Sequence, residues 1–278
     1  MTFEKVDLYQ YFGLQRPENG AGYLSCYIPE IGKECGNRVR PAMLVLPGGG
    51  YWYCSEREKE CIAFTFLAQS FVSFTLEYSV NPVRYPAQLL EADMAVLYIR
   101  ENAERFAVDK DHVACIGFSA GGHLAACLAT IPDEKEVKAI LGDRVNNARP
   151  NAAILSYPVI SGGEFAHDSS FKAICEENEE LRKRLYIENR VDKNTAPAFI
   201  WATVNDNAVP SENSLMLAMA YKKAGVPFEL HLYESGIHGL SLATEEVNTP
   251  NKPVSHWVKT CQKWLQARGF VVKAAENK

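Results

Sequence analysis

The stretch Gly117-Phe118-Ser119-Ala120-Gly121-Gly122 constrains the fold more than any other segment of this chain. It follows the apolar run 113–116 and precedes residues 123–129, which have the composition of a helix. A strand that turns this sharply into a helix leaves no room for side chains two positions either side of the serine. Glycine removes those collisions and tolerates unusual backbone angles. The pattern therefore predicts a strand, a tight turn and a helix, with Ser119 on the turn.

This arrangement is typical of a nucleophile elbow, in which a serine hydroxyl stands clear of the sheet edge. The free N–H groups at the start of the following helix favour negative charge that develops there. Ser119 is therefore the candidate nucleophile. A bare G-x-S-x-G also arises by chance in chains of this size, because glycine and serine are common. The hypothesis depends on finding partners elsewhere in the sequence.

Length, charge and cysteine usage narrow the class of protein. The 278 residues can form one large α/β domain or two small ones. The net charge of -5, without a basic tract, predicts no nucleic-acid partner. Residues 1–7 lack a signal-peptide pattern and no apolar run reaches membrane-spanning length, so we expect a cytoplasmic protein with no membrane partner. The eight cysteines include no CxxC pair, which favours reduced thiols. Homo-oligomerisation is left open.

Strand-like apolar runs alternate with helical periods along the chain. The predicted strands are 42–46, 71–76, 113–116, 152–156, 198–202 and 228–233, and the predicted helices are 60–69, 86–103, 211–224 and 256–268. This alternation predicts an α/β fold, with a mostly parallel central sheet covered by helices on both faces. Residues 159–194 have no strand pattern but carry a charged helix, predicted over 176–189. We expect them to be a small cap-like insertion in a single domain spanning 1–278.

A serine nucleophile needs a base and an acid that orients the base. His238 lies in the glycine-flanked loop 235–239, directly after the last predicted strand, and is the best candidate for the base among six histidines. Asp206 follows the strand 198–202 and fits the chain order serine, acid, histidine. Asp192 and Glu234 are weaker candidates for the acid. The sequence does not assign a role to His167 or Cys54.

A second glycine cluster, Pro47-Gly48-Gly49-Gly50-Tyr51, follows the strand 42–46. We assign the N–H groups of Gly49, Gly50 and Ala120 as the donors that stabilise an oxyanion. Tyr51 and Trp52 are candidate substrate contacts. The glycines are followed by no GK[ST] and form no GxGxxG, and no His/Cys cluster has useful spacing. The sequence therefore predicts neither a cofactor nor a metal.

These motifs together resemble the α/β-hydrolases of the esterase/lipase group, in particular the acetyl-esterase-like branch of acetylxylan esterases and sugar-ester hydrolases. The matching segments are 46–51, 55–58, 78–80, 84–86, 117–123, Asp206 with 209–210, and 236–240. The resemblance implies an α/β-hydrolase fold. One position departs from the pattern, because Pro47 stands where related esterases often carry the histidine of His-Gly-Gly-Gly. We expect the donors to be retained and the anchoring of the loop to differ.

The expected function is hydrolysis of short-chain esters, in particular acetyl esters of sugars or oligosaccharides. Ser119 would attack the ester carbonyl while His238, held by Asp206, takes its proton. The small insertion and the lack of an extended apolar lid argue against long lipid chains. Two alternatives stay open at this point. The same residues could cleave an amide or peptide bond, or the fold could serve a non-catalytic binding protein.

Overall fold

The computed structural model describes residues 1–131 and 134–275, and in them a nine-stranded sheet. Each predicted strand is present, some with longer bounds. The strands are β1 Thr2–Asp7, β2 Tyr23–Ile28, β3 Arg38–Leu46, β4 Val72–Glu77, β5 Val108–Phe118, β6 Ala152–Ser156, β7 Ala198–Thr203, β8 Phe228–Tyr233 and β9 Lys273–Ala274.

Helices lie between most of these strands. They are α1 Leu8–Phe12, α2 Glu60–Ala68, α3 Ala87–Glu101, α4 Ala103–Phe106, α5 Ala120–Thr130, α6 Lys135–Leu141, α7 Asp168–Cys175, α8 Glu179–Arg184, α9 Glu212–Ala224, α10 Lys252–Ser255 and α11 Trp257–Gln266. Among the described helices, none is both long and apolar enough to cross a bilayer.

The sheet has the strand order β1-β2-β4-β3-β5-β6-β7-β8, with β9 paired to β3. Strands β4, β3, β5, β6, β7 and β8 run parallel, whereas β1, β2 and β9 pair antiparallel. The mostly parallel sheet predicted from the sequence is therefore confirmed. The carboxyl ends of its parallel strands meet at one edge, where open α/β sheets bind ligands.

Two hydrophobic cores lie on opposite faces of the sheet. Strand β3 shows the division, because Leu44 packs in one core while its neighbours Met43 and Val45 pack in the other. Side chains alternate between the faces of a strand, so each face needs its own cover. Helices α3, α5 and α9 cover the first face, and α2 and α11 cover the second. The predicted two-sided covering is confirmed.

The predicted helix 176–189 is wrong in its extent. Helix α7 ends at Cys175, Glu176 adopts a left-handed φ of 52°, and only α8 and a 3-10 turn at Ile187–Asn189 follow. The charged run gave no apolar period from which these breaks could be placed. Strands β1, β2 and β9 were not predicted either. Ser211 occupies the N-cap position of α9, but its side chain makes no capping hydrogen bond.

Candidate active site

The elbow joins β5 to α5, as predicted, and Ser119 sits at its apex with φ 53° and ψ -118°. Such angles are strained for a residue with a side chain and persist only where the surroundings enforce them. A Cβ on Gly117 would lie 2.0 Å from the Gly121 carbonyl oxygen, and one on Gly121 would lie 2.2 Å from the Leu46 carbonyl oxygen. Close backbone approach therefore requires both glycines.

The structure brings the three residues Ser119, His238 and Asp206 together. The Nε2 atom of His238 lies 2.8 Å from the Ser119 hydroxyl oxygen. The Nδ1 atom lies 2.7 Å from Asp206 Oδ2. Both distances are those of good hydrogen bonds. Since a carboxylate only accepts, Nδ1 carries the proton and Nε2 is free to accept the one from the serine.

The acid is held by its own turn. Asp206 Oδ1 accepts hydrogen bonds from the N–H groups of Ala208 and Val209, each 2.9 Å long. The Asp206 side chain is 1% exposed, so little water competes with His238 for Oδ2. The alternative acid Asp192 instead accepts from Asn194 N–H in its own turn, at 2.8 Å. Local turn geometry therefore fixes the carboxylate that faces His238.

The glycine loop 47–51, which we call the oxyanion loop, lies against the elbow. Gly49, Gly50 and Tyr51 all have positive φ, at 121°, 63° and 64°. A Cβ on Gly48 would lie 3.2 Å from the Cβ of Ser119. Across the described ranges, the N–H groups of Gly49, Gly50 and Ala120 have no protein acceptor. Gly49 and Gly50 are partly exposed, whereas Ala120 is 0% exposed. The assignment of the three N–H groups as oxyanion donors stays a prediction.

The oxyanion loop is anchored without a histidine at Pro47. The Tyr78 hydroxyl donates to the Pro47 carbonyl at 2.5 Å. The Tyr51 hydroxyl lies 2.8 Å from Nδ1 of His123, whose Nε2 lies 3.0 Å from the Leu185 carbonyl. Because a carbonyl only accepts, Nε2 carries the ring proton and Tyr51 donates to Nδ1. Burial lowers the pKa of His123 to about 4, so the ring is neutral near pH 7.

The two predicted substrate contacts differ in exposure. Tyr51 is 2% exposed and its hydroxyl bonds to His123. Its role as a substrate contact stays a prediction. Trp52 is 47% exposed, lines the cleft, and donates its indole N–H to Ser169 at 2.9 Å. Its role as a substrate contact stays a prediction.

The site contains a buried acid that the sequence does not reveal. Glu58 is 3% exposed. It accepts from Gly48 N–H at 2.8 Å and from the Tyr157 hydroxyl at 2.6 Å. Burial raises the pKa of its carboxyl, while these two hydrogen bonds and the nearby His238 lower it. Segment 55–58 is one of the segments that match the family. Nothing in the sequence distinguishes the buried Glu58 from the exposed charged residues beside it.

A cleft of about 270 Å³ opens above Ser119. Its walls come from the oxyanion loop, the turn after it, the insertion and the loop 234–241 that carries His238, which we call the histidine loop. The lining residues are Gly49, Gly50, Trp52, Tyr53, Ser55, Arg57, Glu58, Ser119, His167, Ser169, His238 and Gly239. His167, to which the sequence assigns no role, therefore lines the cleft. Its Nδ1 atom lies 2.8 Å from the Ser170 hydroxyl. Burial, and then the charge of His238, lower the pKa of His167.

Neither the Cys54 thiol nor a metal-binding cluster adds a reactive group to the site in the part of the chain that the structure describes. Burial raises the pKa of the Cys54 thiol to about 12, so it is protonated and a poor nucleophile at neutral pH. No group of three His, Cys, Asp or Glu side chains among residues 1–131 and 134–275 is arranged to hold a metal ion. The expectation of no metal and no cofactor stays a prediction. Chemically, the arrangement can activate a hydroxyl for attack on an acyl carbonyl.

Comparison with known proteins places this geometry in a family. The sequence model of BD-FAE matches residues 25–221, well over half of the chain. Endo-1,4-beta-xylanase B of Butyrivibrio fibrisolvens is 35% identical over 214 residues, covering 74% of this chain and 33% of its own length. Acetylxylan esterase of Xylanibacter ruminicola is 27% identical over 241 residues, covering 84% of this chain and 46% of its own. The chain thus spans a third to a half of these curated relatives.

A solved structure is similar over nearly its whole length. The acetyl ester-xyloside bifunctional hydrolase from Caldicellulosiruptor lactoaceticus has a TM-score of 0.82 and 36% identity, over 96% of this chain and 97% of that one. The predicted α/β-hydrolase fold and the predicted resemblance to acetyl-esterase-like enzymes are confirmed. The comparisons indicate a carboxylic ester hydrolase.

Proposed function

This α/β-hydrolase belongs to the BD-FAE family, and we propose that it hydrolyses short-chain esters, in particular acetyl esters of sugars or oligosaccharides, through Ser119, His238 and Asp206. The observation that carries the proposal is the continuous pair of hydrogen bonds, 2.8 Å from the serine to the histidine and 2.7 Å from the histidine to the aspartate. A hydroxyl joined to a base in this way is activated for acyl transfer.

The reaction follows from the positions of these atoms. Ser119 Oγ attacks the ester carbonyl as its proton passes to His238 Nε2, and Asp206 stabilises the imidazolium that forms. The N–H groups of Gly49, Gly50 and Ala120 hold the oxyanion. The intermediate collapses when His238 protonates the departing alcohol. Water, deprotonated by the same histidine, then cleaves the acyl-enzyme and releases the acid, which restores the free serine.

The size and lining of the cleft support a small polar ester. At about 270 Å³ the cleft is slightly smaller than most ligand pockets, which favours a short acyl group. Trp52 and Tyr53, with 47% and 62% of their surface exposed, present aromatic surface beside the polar groups of His167 and Ser169. Aromatic rings and hydrogen-bonding groups together suit a sugar alcohol.

The activities of two similar proteins also support this substrate class. One is an acetylxylan esterase and the other an acetyl ester-xyloside hydrolase. The cytoplasmic location, the single domain with a cap at 159–194, and the lack of nucleic-acid and membrane partners stay predictions. A homo-oligomer stays possible on the sequence alone.

The test compares hydrolysis of 4-nitrophenyl acetate, 4-nitrophenyl octanoate, acetylated xylo-oligosaccharides and an aminoacyl anilide. We expect the acetyl esters to turn over fastest. Ser119→Ala should lower kcat by roughly 10⁴- to 10⁶-fold, as for loss of a triad nucleophile, with an unchanged circular dichroism spectrum. A preference for the anilide would favour an amidase or peptidase. Full activity of Ser119→Ala would refute the nucleophile assignment, and no turnover of any substrate would favour a binding protein.

A further inference from the structure

We propose that Glu58 is a positioning residue, whose buried carboxylate fixes the oxyanion loop and the histidine loop 234–241 relative to each other around Ser119. The inference rests on the proposed function, because it assigns Glu58 a part in that same site. Glu58 sits on the 3-10 turn Glu56–Glu58 and is 3% exposed. A buried carboxylate is costly unless it accepts hydrogen bonds. The groups that donate to Glu58 therefore indicate its role.

The first contact is to the oxyanion loop. Oε2 of Glu58 accepts the N–H of Gly48 at 2.8 Å. A Cβ on Gly48 would lie 2.7 Å from that oxygen, 2.8 Å from the Phe118 carbonyl oxygen and 3.2 Å from Ser119 Cβ. Gly48 is therefore packed between the carboxylate and the elbow. Because Gly49 and Gly50 follow directly, the bond at Gly48 sets where their N–H groups lie relative to the serine.

The second contact is to the histidine loop, through a tyrosine. Oε1 of Glu58 accepts from the Tyr157 hydroxyl at 2.6 Å, and that hydroxyl accepts the N–H of Ser241 at 2.9 Å. The Tyr157 ring meets the His238 ring edge to face, with centroids 5.0 Å apart. The Ser241 hydroxyl donates a hydrogen bond to the Arg57 carbonyl at 2.5 Å. The histidine loop is thus tied to the turn that carries Glu58 by two routes.

A carboxylate suits this position because it offers two acceptor oxygens and no donor. Gly48 N–H and the Tyr157 hydroxyl both donate to it. A glutamine has one acceptor oxygen, so it can satisfy only one of these donors in place. Leaving a buried donor unpaired is destabilising, and a small shift of either loop would relieve that cost. Such a shift moves the oxyanion donors or the base away from Ser119.

The test is Glu58→Gln, with Glu91→Gln as its matched control. Glu91 is also fully buried, and accepts from Ser79 N–H, the Ser79 hydroxyl and the Tyr9 hydroxyl, but it does not line the cleft. With 4-nitrophenyl acetate we expect Glu58→Gln to lower kcat by roughly 10- to 100-fold, less than the 10²–10³ for deleting an oxyanion donor. KM should change by less than about threefold, because ground-state binding is retained. Glu91→Gln should keep kcat within about twofold.

Tyr157→Phe is the second variant, should Glu58→Gln fail to fold. It removes the hydroxyl that joins Glu58 to Ser241 and should also lower kcat at near-constant KM. The proposal is overturned if the folded Glu58→Gln, or Tyr157→Phe in its place, keeps wild-type kcat. It is also overturned if Glu91→Gln loses as much kcat, since the effect would then be a general loss of stability. Failure of the proposed function looks different, because wild-type protein would then hydrolyse no ester.

Discussion

Two buried glutamates occupy two regions of this molecule with nearly the same chemistry. At the carboxyl edge of the sheet, Glu58 accepts one backbone N–H and one tyrosine hydroxyl. In the N-terminal region, Glu91 on α3 accepts the N–H and hydroxyl of Ser79 and the hydroxyl of Tyr9. Both carboxylates are almost without solvent exposure, at 3% and 0%.

The difference lies in what each carboxylate holds. The donors on Glu58 belong to loops that surround Ser119, whereas those on Glu91 join α1 and the residues after β4 to α3. The same buried acceptor therefore serves the site in one region and the fold in the other. Activity should be sensitive to changes at the carboxyl edge, and stability to changes in the N-terminal region.

The largest expected effect is at the acid of the site. Asp206→Asn should lower kcat by roughly 10⁴-fold, because an amide cannot hold the histidine in the tautomer that accepts the serine proton. The control is Asp192→Asn, a substitution of the same type in the turn that precedes β7. Steady-state kinetics with 4-nitrophenyl acetate measure both. A loss of less than about tenfold in Asp206→Asn would show that another group orients His238.

A smaller loss is expected in the oxyanion loop. Gly50 has φ 63°, and a Cβ there would lie 3.4 Å from the Trp52 ring, so Gly50→Ala strains the loop that faces the substrate. We expect kcat to fall roughly 10- to 100-fold, at a stability cost of about 1 kcal/mol. Gly13→Ala is the control, since φ is 66° there with no atom within 4 Å.

Kinetics and thermal unfolding of the two glycine variants test whether the strain is felt in the site. Gly13→Ala should show the stability cost alone. Equal kcat in the two variants would break the distinction between the carboxyl edge and the N-terminal region.

The smallest expected effect is in the N-terminal region, and it concerns stability. Burial raises the pKa of Glu91 from 4.5 to about 7. The folded state thus binds this proton more tightly than the unfolded chain does. The resulting stabilisation is complete below pH 4.5 and is lost as the pH rises through 7. Its size is about 3 kcal/mol.

Urea unfolding of wild type and Glu91→Gln across this range measures the effect. The variant lacks the titration, so its stability relative to wild type should rise by about 3 kcal/mol between pH 4.5 and pH 8. A constant difference across that range would show that Glu91 titrates normally.

The sequence predicted those parts of the site that depend on local pattern. Ser119, Asp206 and His238 each follow a strand that can be read from its own residues, and parallel strands bring their carboxyl ends together. Glu58 could not be found in this way. Its burial depends on Tyr157, which is 99 residues away, and on the path of the oxyanion loop.

Other features of the structure are not predictable from the sequence for similar reasons. The contact of Tyr51 with His123, made from a residue with positive φ, is not indicated by any pattern around Tyr51. The breaks in the charged run 176–189 could not be predicted, because a helix that is polar on all sides has no apolar periodicity. Strands β1 and β2 lie at the edge of the sheet, outside the alternation of strands and helices on which the prediction depended.

The central claim is that Ser119 is the nucleophile activated by His238. The most direct test is to treat the protein with a fluorophosphonate, digest it, and locate the label by mass spectrometry. We expect one label per chain, on Ser119, appearing in step with the loss of 4-nitrophenyl acetate hydrolysis, and little labelling in His238→Ala. A label on any other residue, or full inhibition with Ser119 unmodified, would contradict the account.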